Sequence, residues 1–121
     1  RATPAAKGLP PHATLPNPPP MYLVVFRTRK RADIDAAAYG AAAQRMEELA
    51  SLQPGFVSFK SFTAEDGEVV AISEWESEAA ARAWGWQAEH AAVQGQGRAD
   101  WYAQYRLLAG EVTREHSFDG N

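Results

Sequence analysis

Hydrophobic and polar residues follow two different periods along this chain. Alternation with a period of two is typical of strands, and apolar residues at i, i+3, i+4 and i+7 are typical of an amphipathic helix. Together with the residue types in each segment, the pattern predicts the order strand, helix, strand, strand, helix, strand. The predicted strands are Met21–Arg29, Phe56–Thr63, Val69–Trp75 and Trp101–Glu115, and a glycine-punctuated helical segment is expected from about Glu89 to Gly97.

Capping and turn residues mark the limits of the two helices. The first helix begins after Asp33 or Asp35, because either side chain can accept a hydrogen bond from the first turn. It ends at Pro54-Gly55, since proline has no backbone N–H to donate. Ser77 is the expected cap of the second helix, which runs to about Gln87. The apolar stripe of the first helix consists of Tyr39, Ala42, Ala43, Met46, Leu49 and Ala50.

The order of elements predicts a ferredoxin-like α+β domain, β-α-β-β-α-β. In this fold an antiparallel four-stranded sheet carries both helices on one face. The strands are apolar on both faces, with Leu23, Val25, Val57, Phe59, Val70 and Ile72 on one and Tyr22, Val24, Phe26, Val69 and Ala71 on the other. A bare apolar face of that size is a liability for a monomer. We therefore expect a homodimer that packs through its sheet faces.

Composition places the chain among single-domain globular proteins. Its 121 residues, 45% of them hydrophobic and 22% charged, are enough to bury a core. Residues 21–118 form the expected domain, and residues 1–20 contain seven of the eight prolines. Proline at that density favours an extended tail. Met21 is the expected natural start, with the tail non-native or added from upstream.

Charge and cysteine content exclude several classes of function. The net charge is −3, so no basic surface is available for a phosphate backbone and nucleic acid is not an expected partner. Cysteine is absent, which removes disulfides and thiolate metal sites and fits a cytoplasmic setting. No apolar run reaches the ~20 residues that cross a bilayer, so no membrane partner is expected.

The tryptophans of the chain are concentrated in one stretch, since all four lie between Trp75 and Tyr105. Such a concentration indicates either an aromatic core or a cavity for a flat ligand. Trp75 ends a strand and is interpreted as a structural residue. The position of Trp84 is equally consistent with a core residue and with a residue of the cavity wall. Trp86 is about 200° from Trp84 around an ideal helix, so both cannot face inward. Tyr102 and Tyr105 would face opposite sides of a regular strand.

Two side chains in the same stretch are candidates for catalysis. His90 titrates near neutrality and can act as a general base towards a phenol, or it can bond a backbone group at a helix start. Arg98 can stabilise a developing anion, or it can form a surface ion pair with Asp100 or Glu89. The acidic pairs of the chain fit a helix cap and a solvated face better than metal ligands, so no metal is expected.

Several short motifs, taken with the order of elements, resemble the antibiotic biosynthesis monooxygenase (ABM) domain family of the dimeric α+β barrel superfamily. The motifs are the strand entry Pro54-Gly55-Phe56, the strand-to-helix junction Ser73-Glu74-Trp75-Glu76-Ser77 and the later Ala83-Trp84. The run from Glu89 to Tyr105 looks like an uncharacterised bacterial branch of this family. The resemblance covers about Met21 to Phe118 and implies a dimeric barrel.

The resemblance implies one of two chemistries. One is the oxidation of polycyclic phenols to quinones by O₂ without a cofactor. The other is haem degradation, for which the family uses an asparagine, a tryptophan and a histidine that ligates the iron. Trp84 matches that tryptophan, but Gln94 stands at the histidine position and Phe26 at the asparagine position. Haem is therefore disfavoured, unless His90 substitutes from one helical turn earlier.

The leading hypothesis is a monooxygenase that oxidises an aromatic or polyketide-like small molecule with O₂ and uses no cofactor. On this hypothesis His90 is the base and Arg98 holds the anion. The alternatives are a non-catalytic barrel that binds a small ligand and, third, a haem-binding or haem-degrading protein. The residues expected to bind the substrate are Phe26, Trp84, Trp101 and Tyr105.

Overall fold

The order of elements matches the sequence prediction in a computed structural model that describes residues 19–87, 95–96 and 100–120. The sheet is antiparallel with strand order β2-β3-β1-β4, which is the ferredoxin-like arrangement. The predicted fold class is thus confirmed. The elements are β1 (Tyr22–Lys30), α1 (Ala36–Ser51), β2 (Phe56–Thr63), β3 (Val69–Trp75), α2 (Glu78–Trp86) and β4 (Tyr102–Glu111).

The last strand is shorter than its sequence suggests, because it ends at Glu111 rather than Glu115. Tyr22 is the first residue of β1 and pairs with Glu111, and the Val112 N–H donates to the Met21 carbonyl at 2.8 Å just before β1 begins. Most of the proposed tail and most of the helical segment expected from Glu89 to Gly97 lie outside the described residues. The division between tail and domain stays a prediction.

Both helices begin at the predicted kind of capping residue. Asp35 caps α1 by accepting a hydrogen bond from the Ala38 N–H at 3.0 Å, and Ser77 caps α2 by accepting one from the Ala80 N–H at 3.1 Å. Of the two aspartates considered for α1, Asp33 instead pairs with Arg31. Each cap satisfies an N–H group that the helix cannot pair internally.

Two irregularities in strand register change which side chains share a face. The register of β1 with β4 shifts between Arg29 and Lys30, so that Tyr102 lies opposite Lys30 and Tyr105 opposite Thr28. Both tyrosines consequently face the helices, and the expectation that they face opposite sides is wrong. An extra residue in one strand reverses the alternation of every residue beyond it.

The second irregularity lies in β2, between Phe56 and Ser58. It places Phe59 opposite Ser73, on the side of the sheet that faces the helices. The sequence pattern groups Phe59 with Leu23 on the other face, and that grouping is wrong for the same reason.

The core is centred on two tryptophans. Trp75 is fully buried and stacks on Trp84, with ring centroids 6.2 Å apart and planes inclined by 23°. The Trp75 indole N–H donates to the Ser73 hydroxyl at 3.0 Å, which satisfies its polar atom inside the core. Leu49 and Ala50, at the end of the predicted helical stripe, complete the buried cluster.

The opposite face of the sheet is divided between apolar and charged residues. Val25 pairs with Ile72 and Leu108 at one end. At the other end Arg27 holds Glu68 through two hydrogen bonds of 3.0 and 3.1 Å. Neither helix of the described chain is long and apolar enough to span a membrane.

Candidate ligand-binding cavity

A cavity of about 620 Å³ lies between the helices and the face of the sheet that they cover. Alternate residues of β1 form the floor of the cavity, and α1 and α2 form its roof. Every second side chain of the strand points to the same face of the sheet, and on this face the side chains lie opposite the apolar stripes of the two helices. The volume is in the range of sites that take small organic molecules. The floor and roof include Tyr22, Val24, Phe26, Thr28, Tyr39, Ala43, Met46, Phe59, Ala71, Ser73, Ala81, Trp84, Trp101 and Tyr102.

Three of the four residues expected to bind the substrate lie on this lining. Phe26 is on the floor, Trp84 is buried in the roof and Trp101 is buried near one end of the cavity. Trp84 thus contributes to both the core and the cavity wall, while Trp86 is 81% exposed. The structure therefore identifies Trp84 as the inward-facing residue of the pair. A role of these rings in substrate binding stays a prediction.

Tyr105, the fourth expected residue, lies just outside the lining. Its ring packs against Phe26 at 5.5 Å and Tyr102 at 6.0 Å between centroids, and its side chain is exposed at the edge. It borders a second, smaller cavity of about 450 Å³ with Arg27 and Arg106. Tyr105 thus contacts the aromatic wall at its edge through these rings.

The two catalytic candidates, His90 and Arg98, lie outside the described residues. Within the described part of the lining the charged side chains are Glu47 on α1 and Arg82 on α2. Arg82 is paired with Glu78 at 2.6 Å, and Glu47 is exposed. The described lining is thus mainly aromatic, aliphatic and hydroxyl-bearing.

One end of the cavity, which we call the hydroxyl end, is formed by Thr28, Tyr39 and Tyr102. Thr28 is 3% exposed, and no hydrogen bond engages any of the three hydroxyl groups within the described stretches of the chain. The Tyr39 and Tyr102 rings are 6.5 Å apart in an edge-to-face arrangement. The sequence pattern does not identify this group, although Tyr39 begins the apolar stripe of α1 and Thr28 follows the alternation of β1.

The electrostatic environment of the hydroxyl end keeps its phenols neutral. Burial, together with the neighbouring Tyr39, raises the pKa of Tyr102 to about 12. Burial also raises the pKa of Tyr39 above its ordinary value. An ionised phenol would lose its hydration there, so both groups remain hydrogen-bond donors.

A further hydroxyl group faces the cavity nearer its other end. Ser73 is 7% exposed and its oxygen already accepts the Trp75 indole N–H. Its own proton has no acceptor among residues 19–87, 95–96 and 100–120. A ligand oxygen in contact with Ser73 can therefore accept a hydrogen bond from it.

The described lining holds no imidazole or thiolate that could bind haem iron. The expectation that no haem is bound stays a prediction. Phe26 is on the floor, while His90 and Gln94 lie outside the described residues. No group of three metal-binding side chains occurs in the stretches that the structure describes.

Comparison with known proteins gives both a family and a curated relative. The family model described as "Antibiotic biosynthesis monooxygenase" matches residues 21–96. The uncharacterized protein YqjZ of Bacillus subtilis (strain 168) is 36% identical over 103 residues, which cover 85% of this chain and 89% of that protein.

Several solved structures share the fold. SnoaB of Streptomyces nogalater, described as a cofactor-independent oxygenase, superposes with a TM-score of 0.63 and 20% identity, covering 80% of this chain and 96% of SnoaB. A putative antibiotic biosynthesis monooxygenase from Nitrosomonas europaea gives 0.68 and 19%, covering 82% and 96%. Rv0793 from Mycobacterium tuberculosis gives 0.70 and 18%, covering 80% and 99%. At these identities the similarity concerns the fold alone.

Proposed function

Because this chain belongs to the antibiotic biosynthesis monooxygenase family, we propose that it oxidises a flat aromatic molecule with O₂ in the cavity between its sheet and helices. The observation that carries the proposal is the cavity itself: about 620 Å³, walled by Trp84, Trp101 and Phe26, with isolated hydroxyl groups among them. Aromatic walls with a few polar groups suit a fused-ring ligand, which gains contact with the rings and is oriented by hydrogen bonds.

The proposed reaction needs no cofactor, provided that the substrate is an electron-rich phenol or its keto tautomer. A carbon bearing two hydrogens or an aromatic C–H is converted to a carbonyl, one atom of O₂ enters the product and the other leaves as water. The substrate supplies all four electrons after it loses a proton. On this proposal His90 takes that proton and Arg98 stabilises the resulting anion.

The proposal also includes a homodimer, in which two sheets cover each other's outer faces. That face carries Leu23, Val25, Ile72 and the 38%-exposed Leu108, and neither helix covers it. Burial of such a surface against a second copy removes apolar area from water. Each subunit retains its own cavity, since the helices lie on the other side of the sheet.

The proposed reaction can be tested with anthrone, a tricyclic ketone whose tautomer is a phenol. Protein treated with a chelator should convert anthrone to anthraquinone and consume O₂ faster than a protein-free blank at neutral pH. Replacement of the proposed base, His90→Ala, should reduce the rate by about 10²-fold or more. His116→Ala is the matched control, because His116 is exposed in the C-terminal segment, and it should leave the rate unchanged.

Two results would contradict this proposal. A rate equal to the blank would favour the second candidate function, a non-catalytic barrel that binds a small aromatic ligand. That candidate is supported by the described lining, which holds hydroxyl groups and rings but no imidazole. Tight stoichiometric haem binding with a Soret band would instead favour the haem chemistry.

A further inference from the structure

Resting on the function proposed above, we propose that the hydroxyl end of the cavity is a subsite for an uncharged oxygen atom of the ligand. The substrate class is then a fused-ring molecule that carries a carbonyl or an undissociated hydroxyl group at one end. Thr28, Tyr39 and Tyr102 recognise that oxygen, and Phe26 lies beside the ring to which it is attached.

The first reason is that the three hydroxyl groups have no hydrogen-bond partner among the described residues. Thr28 is 3% exposed, and none of the three engages in a hydrogen bond with any residue that the structure describes. Thr28 is buried, whereas Tyr39 and Tyr102 are half-buried. A buried polar group without a partner costs free energy, so such groups are normally satisfied by protein, water or ligand. Here all three line the same cavity.

The second reason is that the two phenol rings are held in place before any ligand binds. The Tyr102 ring contacts Phe26 at 5.7 Å and Tyr105 at 6.0 Å. The Tyr39 ring contacts Trp101 at 5.5 Å, with the planes at 88°. Groups fixed in this way lose little conformational entropy when they bind, so their hydrogen bonds contribute more fully to affinity.

The third reason concerns charge. The burial that keeps both phenols neutral would also disfavour an anionic ligand group at the same place. Glu47 lies eight residues beyond Tyr39 on α1, about 12 Å along the helix axis. Lys30 lies over the Tyr39 ring at 4.9 Å but is not part of the lining. An uncharged oxygen therefore matches the hydroxyl end better than a carboxylate does.

The length of the cavity floor matches a ligand with several fused rings. Thr28 and Val24 both line the cavity and are four residues apart on β1, about 13 Å along the strand. Val24 pairs with Ser73, whose proton is free to donate within the described part of the chain, and Phe26 lies between the two ends. A ligand anchored at Thr28 thus extends its apolar rings along Phe26 towards Trp84.

Binding of three matched probes under nitrogen tests the subsite without any turnover. The probes are 1-naphthol, naphthalene and 1-naphthoate, which present a neutral hydroxyl group, no polar group and a carboxylate on the same ring system. Calorimetric titration of the full chain at neutral pH should rank 1-naphthol above naphthalene and above 1-naphthoate. Tyr102→Phe and Thr28→Val should each weaken 1-naphthol binding by about 2- to 10-fold and leave naphthalene binding unchanged.

The control variant is Thr63→Val, which makes the same isosteric change at an exposed position at the end of β2. It should bind all three probes as the unmodified protein does, and circular dichroism should show that every variant is folded. Equal affinity for 1-naphthol and naphthalene, or a preference unaltered by Tyr102→Phe and Thr28→Val, would overturn the subsite while leaving anthrone oxidation intact. Failure to bind any of the probes, together with no anthrone turnover, would overturn the proposed function as well.

Discussion

The ionisation of Tyr102 is the most directly measurable property of the cavity. Its ring contacts Phe26, Tyr39 and Tyr105, and its hydroxyl group has no partner among the described residues. Burial raises its pKa to about 12, from the ordinary value of 10.0. The folded protein therefore keeps a proton on Tyr102 at a pH where the unfolded chain has lost it.

This difference predicts a pH dependence of stability. Because the raised pKa belongs to the folded state, the contribution of Tyr102 is fully present below about pH 10 and is lost as the pH rises towards 12. The free energy of unfolding should fall across this interval, and it should fall less in Tyr102→Phe, which has no proton to lose. Urea denaturation at pH 9, 10 and 11 measures the effect, and parallel curves for the two proteins would contradict it.

Glycine in the turn before β2 shows how one position constrains the packing of two elements. Gly55 has φ +83°, and a Cβ atom built on it would lie 2.5 Å from the Cβ of Ala80 in α2. The Gly55 carbonyl also accepts a hydrogen bond from the Glu76 N–H at 2.8 Å. The Pro54-Gly55-Phe56 motif thus sets how closely α2 approaches the start of the strand.

Gly67 offers a matched control for this position, because it has φ +91° and no atom within 4 Å of a built Cβ. Gly67→Ala should lower the free energy of unfolding by about 1–2 kcal/mol, the cost of a left-handed backbone for a side chain. Gly55→Ala should cost about 1–3 kcal/mol more, because the new methyl group overlaps Ala80. Chemical denaturation of both variants measures the difference, and equal losses would show that the close approach is relieved elsewhere.

The existence and order of the elements could be predicted from sequence because the periods of two and 3.6 are local properties. Asp35 and Ser77 cap their helices for equally local reasons. The register shifts at Arg29/Lys30 and Phe56/Ser58 could not be predicted, since each depends on how two strands far apart in sequence pair.

The same limit applied to the site. The large rings of Phe26, Trp84 and Trp101 are conspicuous in the sequence, and all three lie on the lining. The hydroxyl end could not be predicted, because Thr28 and Tyr39 come together with Tyr102 only after the sheet has formed and α1 has packed across it. The place of Tyr105 in the aromatic run favours a position in the cavity, but its side chain is exposed at the edge of the lining.

The exposed outer face of the sheet bears on the oligomeric state of the whole molecule. Phe62 is 54% exposed and Leu108 is 38% exposed on a face that neither helix covers. Light scattering should give a mass twice the 13.2 kDa of the chain. Leu108→Asp should shift the mass towards the monomer, because a carboxylate would be buried against the partner.

Leu52→Asp is the control for this change. Leu52 is 76% exposed at the end of α1, away from the outer face of the sheet, so the variant should remain dimeric. A monomeric mass for the unmodified protein at micromolar concentration would contradict the proposed dimer, and a dimeric mass for Leu108→Asp would contradict an interface on the outer face of the sheet.

The central claim is that a flat aromatic molecule is oxidised by O₂ inside this cavity without a cofactor. The most direct measurement is mass spectrometry of anthraquinone formed from anthrone under ¹⁸O₂ by chelator-treated protein, beside the variant Ala71→Phe, which fills the cavity floor. We predict that the new carbonyl carries heavy oxygen and that its rate of formation falls to the level of the blank in Ala71→Phe. Product formation at the same rate in the folded variant, or no product above the blank in either protein, would contradict the claim.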